Sequence, residues 1–288
     1  MADRVPTKNL QSHRQRTFRL LPELVLATED DAIRFVNERG FVFFWPIQDI
    51  VFPSLWAAVA GDRPVASEHD DAGHITWGWK DGLLDKKRWY YAKVIRGKAS
   101  MISLEIAPYF YALTENYGEP ESDYLEQYQD GRLSHPAKLI YEILMDDGPT
   151  DSVQLKRKAR LSSDASKSVF DRSLVELQRD FKILPMGVSD SGAWHYSFLF
   201  DLVHRYYPEI PENARLITIA EARQKLARLY IESMGAAALE EIQRFFSWPA
   251  ADARRALDHL VREGEIRDRV QIESKPGEFY SLPAIVSH

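Results

Sequence analysis

The stretch PAADARRALDHLVREGEI, Pro249–Ile266, decides the fold once it is set beside VFDRSLVELQRDFKI, Val169–Ile183. Both place apolar residues three and four apart, the spacing of a helix with one buried face. Leu174 and Leu177 correspond to Leu257 and Leu260, and Ile183 corresponds to Ile266. The match continues upstream, where Gly148 pairs with Gly235 and Leu155 with Ile242 after one offset of about four residues. The second half of the chain is therefore an internal repeat.

Each copy reads the same way from its first residue. Leu139, Ile140, Ile143 and Leu144 make the apolar face of a first helix, which Gly148 ends because glycine tolerates positive φ. A short second helix carries Val153 and Leu155, and a third carries Val169, Phe170, Leu174 and Leu177. Ile183–Val188 and Trp194–Phe198 then flank Ser189-Asp190-Ser191-Gly192, a hairpin signal. In the later copy Glu278-Phe279-Tyr280 supplies the returning strand. Three helices followed by a β-hairpin make a winged helix, so the expected class is α+β, mainly helical, with small β-hairpin wings.

A winged helix buries one side of its third helix and leaves the other free to read a major groove. The exposed side carries Lys167 and Arg172 in the earlier copy, with Lys156, Arg157 and Lys158 just before it. In the later copy it carries Arg254, Arg255 and Arg262. These are the candidate DNA-binding residues. Asp171, Glu176, Asp252, Asp258 and Glu263 dilute that charge, and the alternative is a face that meets water or a protein partner.

Composition narrows the classes. The 288 residues are 45% hydrophobic and 28% charged, ordinary values for a globular chain of two or three small domains. The formal charge of −6 speaks against a non-specific coat for nucleic acid, so local basic patches carry the DNA reading. With no cysteine, disulfides and thiolate metal sites are excluded, as fits a reducing, cytoplasmic setting. No run reaches the roughly 20 apolar residues of a membrane span, so no membrane partner is expected. The opening MADRVPTKNLQSHRQRTFR lacks the apolar core of a signal peptide and reads as a basic, poorly ordered extension over residues 1–27.

The N-terminal third is less regular. Glu29–Arg39 is a short helix with Thr28 and Asp31 placed as a capping box, and Pro53–Gly61 is a second helix with proline first and glycine last. Between them lies GFVFFWPIQDI, Gly40–Ile50, four aromatics in five residues followed by a proline and a Gln-Asp pair. Val42 and Phe44 read as a buried strand. Glu68, His69, Asp70, Asp71 and His74 crowd a polar loop, but their spacing matches no known metal site, so no metal and no cofactor are expected. Trp77 and Trp79 alternate as on a strand, which would turn both rings to one side. Arg88–Arg96 and Ala99–Ile106 supply further aromatic and β-branched elements.

Taken together, Pro249–Ile266, Val169–Ile183 and WKDGLLDKKRWYYAKVIRGKASMIS (Trp79–Ser103) resemble the winged-helix DNA glycosylases of the AlkZ/YcaQ type. The resemblance covers about Asp30 to Val270 and implies three tandem winged helices. The divisions are then 28–134, with an aromatic-rich insertion, 135–210 and 211–288. In that family a Gln-hydrophobic-Gln or Gln-hydrophobic-Asp triplet follows a Gly-hydrophobic-hydrophobic turn and positions the attacking water. Here Gly40-Phe41-Val42 matches the turn, and the triplet falls on Phe43-Phe44-Trp45. The family's Tyr-Trp-Ala-His element becomes Tyr90-Tyr91-Ala92-Lys93.

The resemblance thus implies a DNA-binding relative of repair glycosylases without their standard catalytic groups. The alternative is a non-catalytic winged-helix regulatory or protein-interaction module. Candidates for remaining acid–base work are Gln48, Asp49, Asp81, Lys93 and Glu105. Candidates for stacking a base are Phe43, Trp45, Trp77, Trp79 and Tyr91. A monomer that binds duplex DNA, damaged duplex included, is the expected state.

Overall fold

The computed structural model describes residues 3–65, 70–192 and 195–287. Glu68, His69 and Trp194, which enter the sequence reading, lie outside the described residues. The chain is mainly helical with small sheets and divides into two compact units. Unit one is Met1–Gly78 with Ile219–His288, and unit two is Trp79–Thr218.

Unit one begins with β1 (Arg4–Val5) and α1 (Thr7–Thr17), then α2 (Glu29–Arg39), β2 (Phe41–Phe43) and α3 (Leu55–Ala60). The division from unit two falls inside α4 (Asp71–Leu83). Unit two continues through β3 (Tyr90–Ala92), β4 (Ser100–Ile102), α5 (Ala107–Tyr111) and α6 (Pro120–Gln129). Then come α7 (His135–Asp147), β5 (Thr150–Asp151), α8 (Ser152–Lys158) and α9 (Lys167–Arg179). The unit closes with β6 (Ile183–Ser189), β7 (Ser197–Leu202), α10 (Val203–Tyr206) and α11 (Glu209–Ala214). Back in unit one lie α12 (Ile219–Met234), β8 (Ala236–Ala237), α13 (Leu239–Phe246), α14 (Ala250–Arg262), β9 (Arg267–Ile272) and β10 (Lys275–Ser281).

The repeat is visible in this order. The run α7-β5-α8-α9-β6-β7 returns as α12-β8-α13-α14-β9-β10. The sheets agree as well: β7 lies between β5 and β6, and β10 lies between β8 and β9. Gly148 and Gly235 end the matching helices at φ 79° and 78°, each just before a two-residue strand. The paired apolar positions Leu155 and Ile242, Leu177 and Leu260, and Ile183 and Ile266 are all buried. A side chain at Gly235 would meet both a strained φ and crowding, because a Cβ there would sit 2.8 Å from His13 and 3.1 Å from Leu10 and Ile285. Gly235→Ala is expected to lower the stability of unit one by about 2 kcal/mol or more in urea unfolding, and an unchanged midpoint would contradict the packing described.

The N-terminal segment is a correction to the sequence reading. The residues expected to be poorly ordered form β1, which pairs parallel to β9 through Arg4↔Gln271 and Val5↔Ile272, and the helix α1. Val5 and Leu10 join Ala236, Val270, Ile272, Phe279 and Ile285 in one apolar cluster. Arg14 Nε donates to the Met234 carbonyl at 2.9 Å and His13 Nε2 contacts the Glu232 carbonyl at 2.9 Å, which ties α1 to the end of α12. The basic composition misled because Arg14 caps helix-end carbonyls while the apolar Val5 and Leu10 between the cations are buried.

The α2 expectation stands, and α3 begins at Leu55, two residues after the proline expected to open it. Asp31 N donates to Thr28 Oγ1 at 3.1 Å while Thr28 N donates back to Asp31 Oδ2 at 3.0 Å, and Gly40 closes α2 at φ 78°. Ser54 caps α3 and Gly61 ends it at φ 74°. The segment read as a polar loop and a strand is instead helical from Asp71 to Leu83. Ala72, Thr76, Lys80, Leu83 and Leu84 are buried along it, a helical period that the two tryptophans masked. On a helix Trp77 and Trp79 lie about 200° apart, so their rings do not share a side. Among the described residues, no helix is long and apolar enough to cross a membrane.

Candidate functional site

The run that opens with Gly40 becomes a short strand whose side chains all turn inward. Phe41, Val42 and Phe43 are buried in β2, and Phe44, just past it, is buried too. Phe41 and Phe43 pack on Phe52, nearby in the chain, and on rings from the later part of unit one. Phe52 lies 4.5 Å from Phe245 and is stacked on Tyr230 at 5.4 Å, while Phe41 and Phe43 approach Phe245 at 6.1 and 5.8 Å. Burial pushes the Tyr230 hydroxyl well above its ordinary range. Phe43 and Phe44, two of the three residues on which the resemblance places the triplet, are thus core residues.

Trp45 is half-buried, its ring 5.4 Å from Trp56. Trp77 is exposed, with its ring 6.1 Å from Phe44. Trp56 Nε1 donates to Asp70 Oδ1 at 3.1 Å, and Arg63 reaches both Asp70 and Asp71, so these carboxylates serve hydrogen bonds and ion pairs. Gln48 and Asp49 project from the tight turn closed by Ile50 N to the Ile47 carbonyl at 3.1 Å, with Asp49 at φ 61°. Both are exposed. The geometry offers an aromatic surface of Trp45 and Trp77, with the Gln-Asp pair on a separate turn.

In unit two the structure assembles a polar cluster that the sequence reading only touched. The Lys80 amine lies 2.8 Å from Asp81 Oδ1 and donates to the Tyr196 hydroxyl at 3.0 Å. Tyr196 in turn donates to Asp81 Oδ1 at 3.0 Å, closing a triangle. Rings surround the same nitrogen, Phe198 at 4.6 Å and Tyr91 and Tyr196 at 5.7 Å. Such faces stabilise a cation. Burial nevertheless draws the Lys80 amine below its ordinary value, opposed by the Asp81 charge. Asp81 and Tyr91 are therefore brought together, while Trp79 is half-buried and Lys93 and Glu105 are exposed. Lys80 was missed because Trp77 and Trp79 drew the segment into a strand reading.

A second buried amine, Lys182, donates to Asn116 Oδ1 at 2.7 Å and lies 5.6 Å from the Tyr141 ring. Burial pulls it down to about 8.

The basic residues fall on helices as expected. Arg157, Lys158, Lys167, Arg172, Arg254, Arg255 and Arg262 are exposed, and Lys156 is half-buried with its amine 5.0 Å from the Phe170 ring. Several are already engaged: Lys158 pairs with Asp147 at 2.6 Å, Arg255 with Asp252, and Arg172 Nε donates to the Ser168 carbonyl at 3.1 Å. Arg254 borders a polar groove of about 480 Å³ between α14 and the β9–β10 hairpin, shared with Asp258, Asp268, Arg269 and Tyr280.

A family model described as AlkZ related matches residues 26–247. The chain belongs to the AlkZ-related family. Its structure is similar to that of the DNA glycosylase AlkZ of Streptomyces sahachiroi, with a TM-score of 0.59 and 14% identity over 98% of this chain and 71% of that one. At that identity the likeness establishes a shared fold. No curated protein sequence matches the chain.

Proposed function

We propose that this AlkZ-related chain binds duplex DNA, damaged duplex included, through tandem winged helices, and that it has lost the family's standard base-releasing chemistry. The observation that carries the second half is the burial of Phe43 and Phe44 where the resemblance places the water-positioning triplet. No phenylalanine or tryptophan oxygen exists there to hold or polarise water, and polar groups aimed at the reacting centre are what such catalysis needs. Support for the first half is the repeated helix–strand order with cations on α8, α9 and α14. The chain order α2-β2-α3-α4-β3-β4 follows the same plan and completes a third winged helix in this reading. The divisions 28–134, 135–210 and 211–288 go with it, preceded by the segment 1–27.

Trp45 and Trp77 give unit one a surface on which an unstacked base would rest, a contact worth roughly 1–3 kcal/mol per base. The direct test is affinity for a plain duplex and for one carrying an alkylated base, at about 50 and 200 mM salt. Affinity is expected to fall steeply with salt. Arg254→Ala and Arg262→Ala are each expected to reduce the log–log salt slope by about 1, whatever the DNA sequence. Absence of binding to either duplex at the lower salt would exclude DNA and leave the protein-interaction module. Release of the alkylated base above the rate in buffer would exclude the loss of chemistry.

A further inference from the structure

The Lys80–Asp81–Tyr196 triangle has the composition of an amine nucleophile with a proton acceptor and a proton donor already in place. Lysines held in apolar surroundings are the ones that form Schiff bases with carbonyl compounds, because burial favours the neutral amine. The structural alternative is a cation locked into a ring cage. Two features separate the triangle from a plain cage. Tyr196 is 41% exposed and the Asp81 side chain 24% exposed, so the amine lies one hydrogen bond below the surface. The hydroxyl that covers it is also the group whose proton the reaction needs.

We propose that Lys80 captures an aldehyde as a Schiff base, and that the aldehyde is the opened deoxyribose of an abasic site in DNA. Asp81 takes a proton from the Lys80 ammonium, and the freed lone pair forms a bond to the aldehyde carbon. The carbonyl π electrons move to oxygen, which takes one proton from the newly bonded nitrogen to give the neutral carbinolamine. The carbon–oxygen bond then breaks as Tyr196 donates a proton, and the oxygen leaves as water. Asp81 returns its proton to Tyr196. Overall a protonated lysine and an aldehyde give a protonated imine and one water, and no oxidant or reductant is consumed. The choice of aldehyde rests on the DNA reading above. It places the chain after a base-releasing reaction carried out by another protein, since its own triplet is hydrophobic.

The test is reductive trapping. The intact protein is incubated with a duplex containing one abasic site and with cyanoborohydride, and the crosslinked peptide is mapped; glycolaldehyde is used in parallel as a DNA-independent probe. Wild type is expected to give a covalent complex at Lys80. Lys80→Arg keeps a cation among the rings but forms no stable imine, and is expected to lose at least tenfold of the yield. Tyr196→Phe keeps the cover and removes the donor, slowing trapping by about tenfold or more. Crosslinks of equal yield in Lys80→Arg, or mapped elsewhere, would overturn the proposal. So would a chain that binds the duplex without trapping it, and the DNA reading would survive that result. If the duplex is not bound at all, labelling of Lys80 by glycolaldehyde keeps the reactive amine and removes DNA as its source, while no labelling removes both.

Discussion

Phe245→Ala is expected to destabilise unit one by about 3–5 kcal/mol, the range for removing a fully buried phenylalanine ring. The ring touches Phe52, Tyr230, Phe41, Phe43 and Phe246 at centroid distances of 4.5, 4.7, 6.1, 5.8 and 4.9 Å. Its loss leaves a cavity walled by other large rings, which cannot collapse without leaving their own partners. Urea unfolding followed by tryptophan fluorescence measures the effect, with Trp45 and Trp56 reporting from the same unit. A loss below about 1 kcal/mol would mean that the aromatic run is not anchored on α13. The result also bears on function, because it asks whether Phe43 is a core residue or a ring available to a ligand.

Lys182→Met is expected to raise stability at neutral pH and to remove a pH dependence. In the folded chain the Lys182 amine loses its proton near 8, whereas the ordinary value is 10.5. Below pH 8 both folded and unfolded chains hold the proton, and the fold bears the whole cost of burying the cation. Between 8 and 10.5 the unfolded chain holds more protons, so stability rises with pH over that window. The size is about 3 kcal/mol at roughly 1.4 kcal/mol per pH unit. Methionine removes that cost but leaves Asn116 Oδ1 without its amine donor, a penalty of about 1–3 kcal/mol. The net expectation at pH 7 is a gain of about 1–2 kcal/mol.

The rise above pH 8 should be seen in wild type and be absent in the variant. Tyr111, pushed up to about 12 by burial, acts in the opposite sense and lowers stability only above pH 10, so the informative range ends there. Thermal or urea unfolding at pH 7, 8, 9 and 10 supplies the curve. Identical slopes for the two proteins would refute the assignment to Lys182.

The repeat was legible because its information is local and periodic. Leu174, Leu177, Leu257 and Leu260 specify a buried helix face, and Gly148 and Gly235 specify helix ends, whatever the rest of the chain does. Thr28 and Asp31 announced α2 in the same way, through hydrogen bonds that span three residues. The burial of Val42 and Phe44 was legible, whereas Phe43, read as a ring for stacking, is a core residue and Trp45 is half-buried. The legible features needed no knowledge of the tertiary fold.

What only the tertiary structure decided concerns pairs far apart in sequence. The destination of β1 lies on β9, 267 residues along the chain at Arg4↔Gln271, and no local pattern encodes that pairing. Phe245 of α13 packs on Phe41 and Phe43 from about 200 residues further along the chain. Tyr196 meets Lys80 across 116 residues. In α4 the local signals conflicted, since two tryptophans two apart imitate a strand while Ala72, Thr76 and Lys80 keep the helical period. Burial settled the conflict, because a helix there brings Thr76 and Lys80 to one buried stripe, and the lysine gains rings and a carboxylate in exchange for water. Local periodicity in the sequence showed which segments are amphipathic; long-range packing determined which cations are buried and which rings and carboxylates surround them.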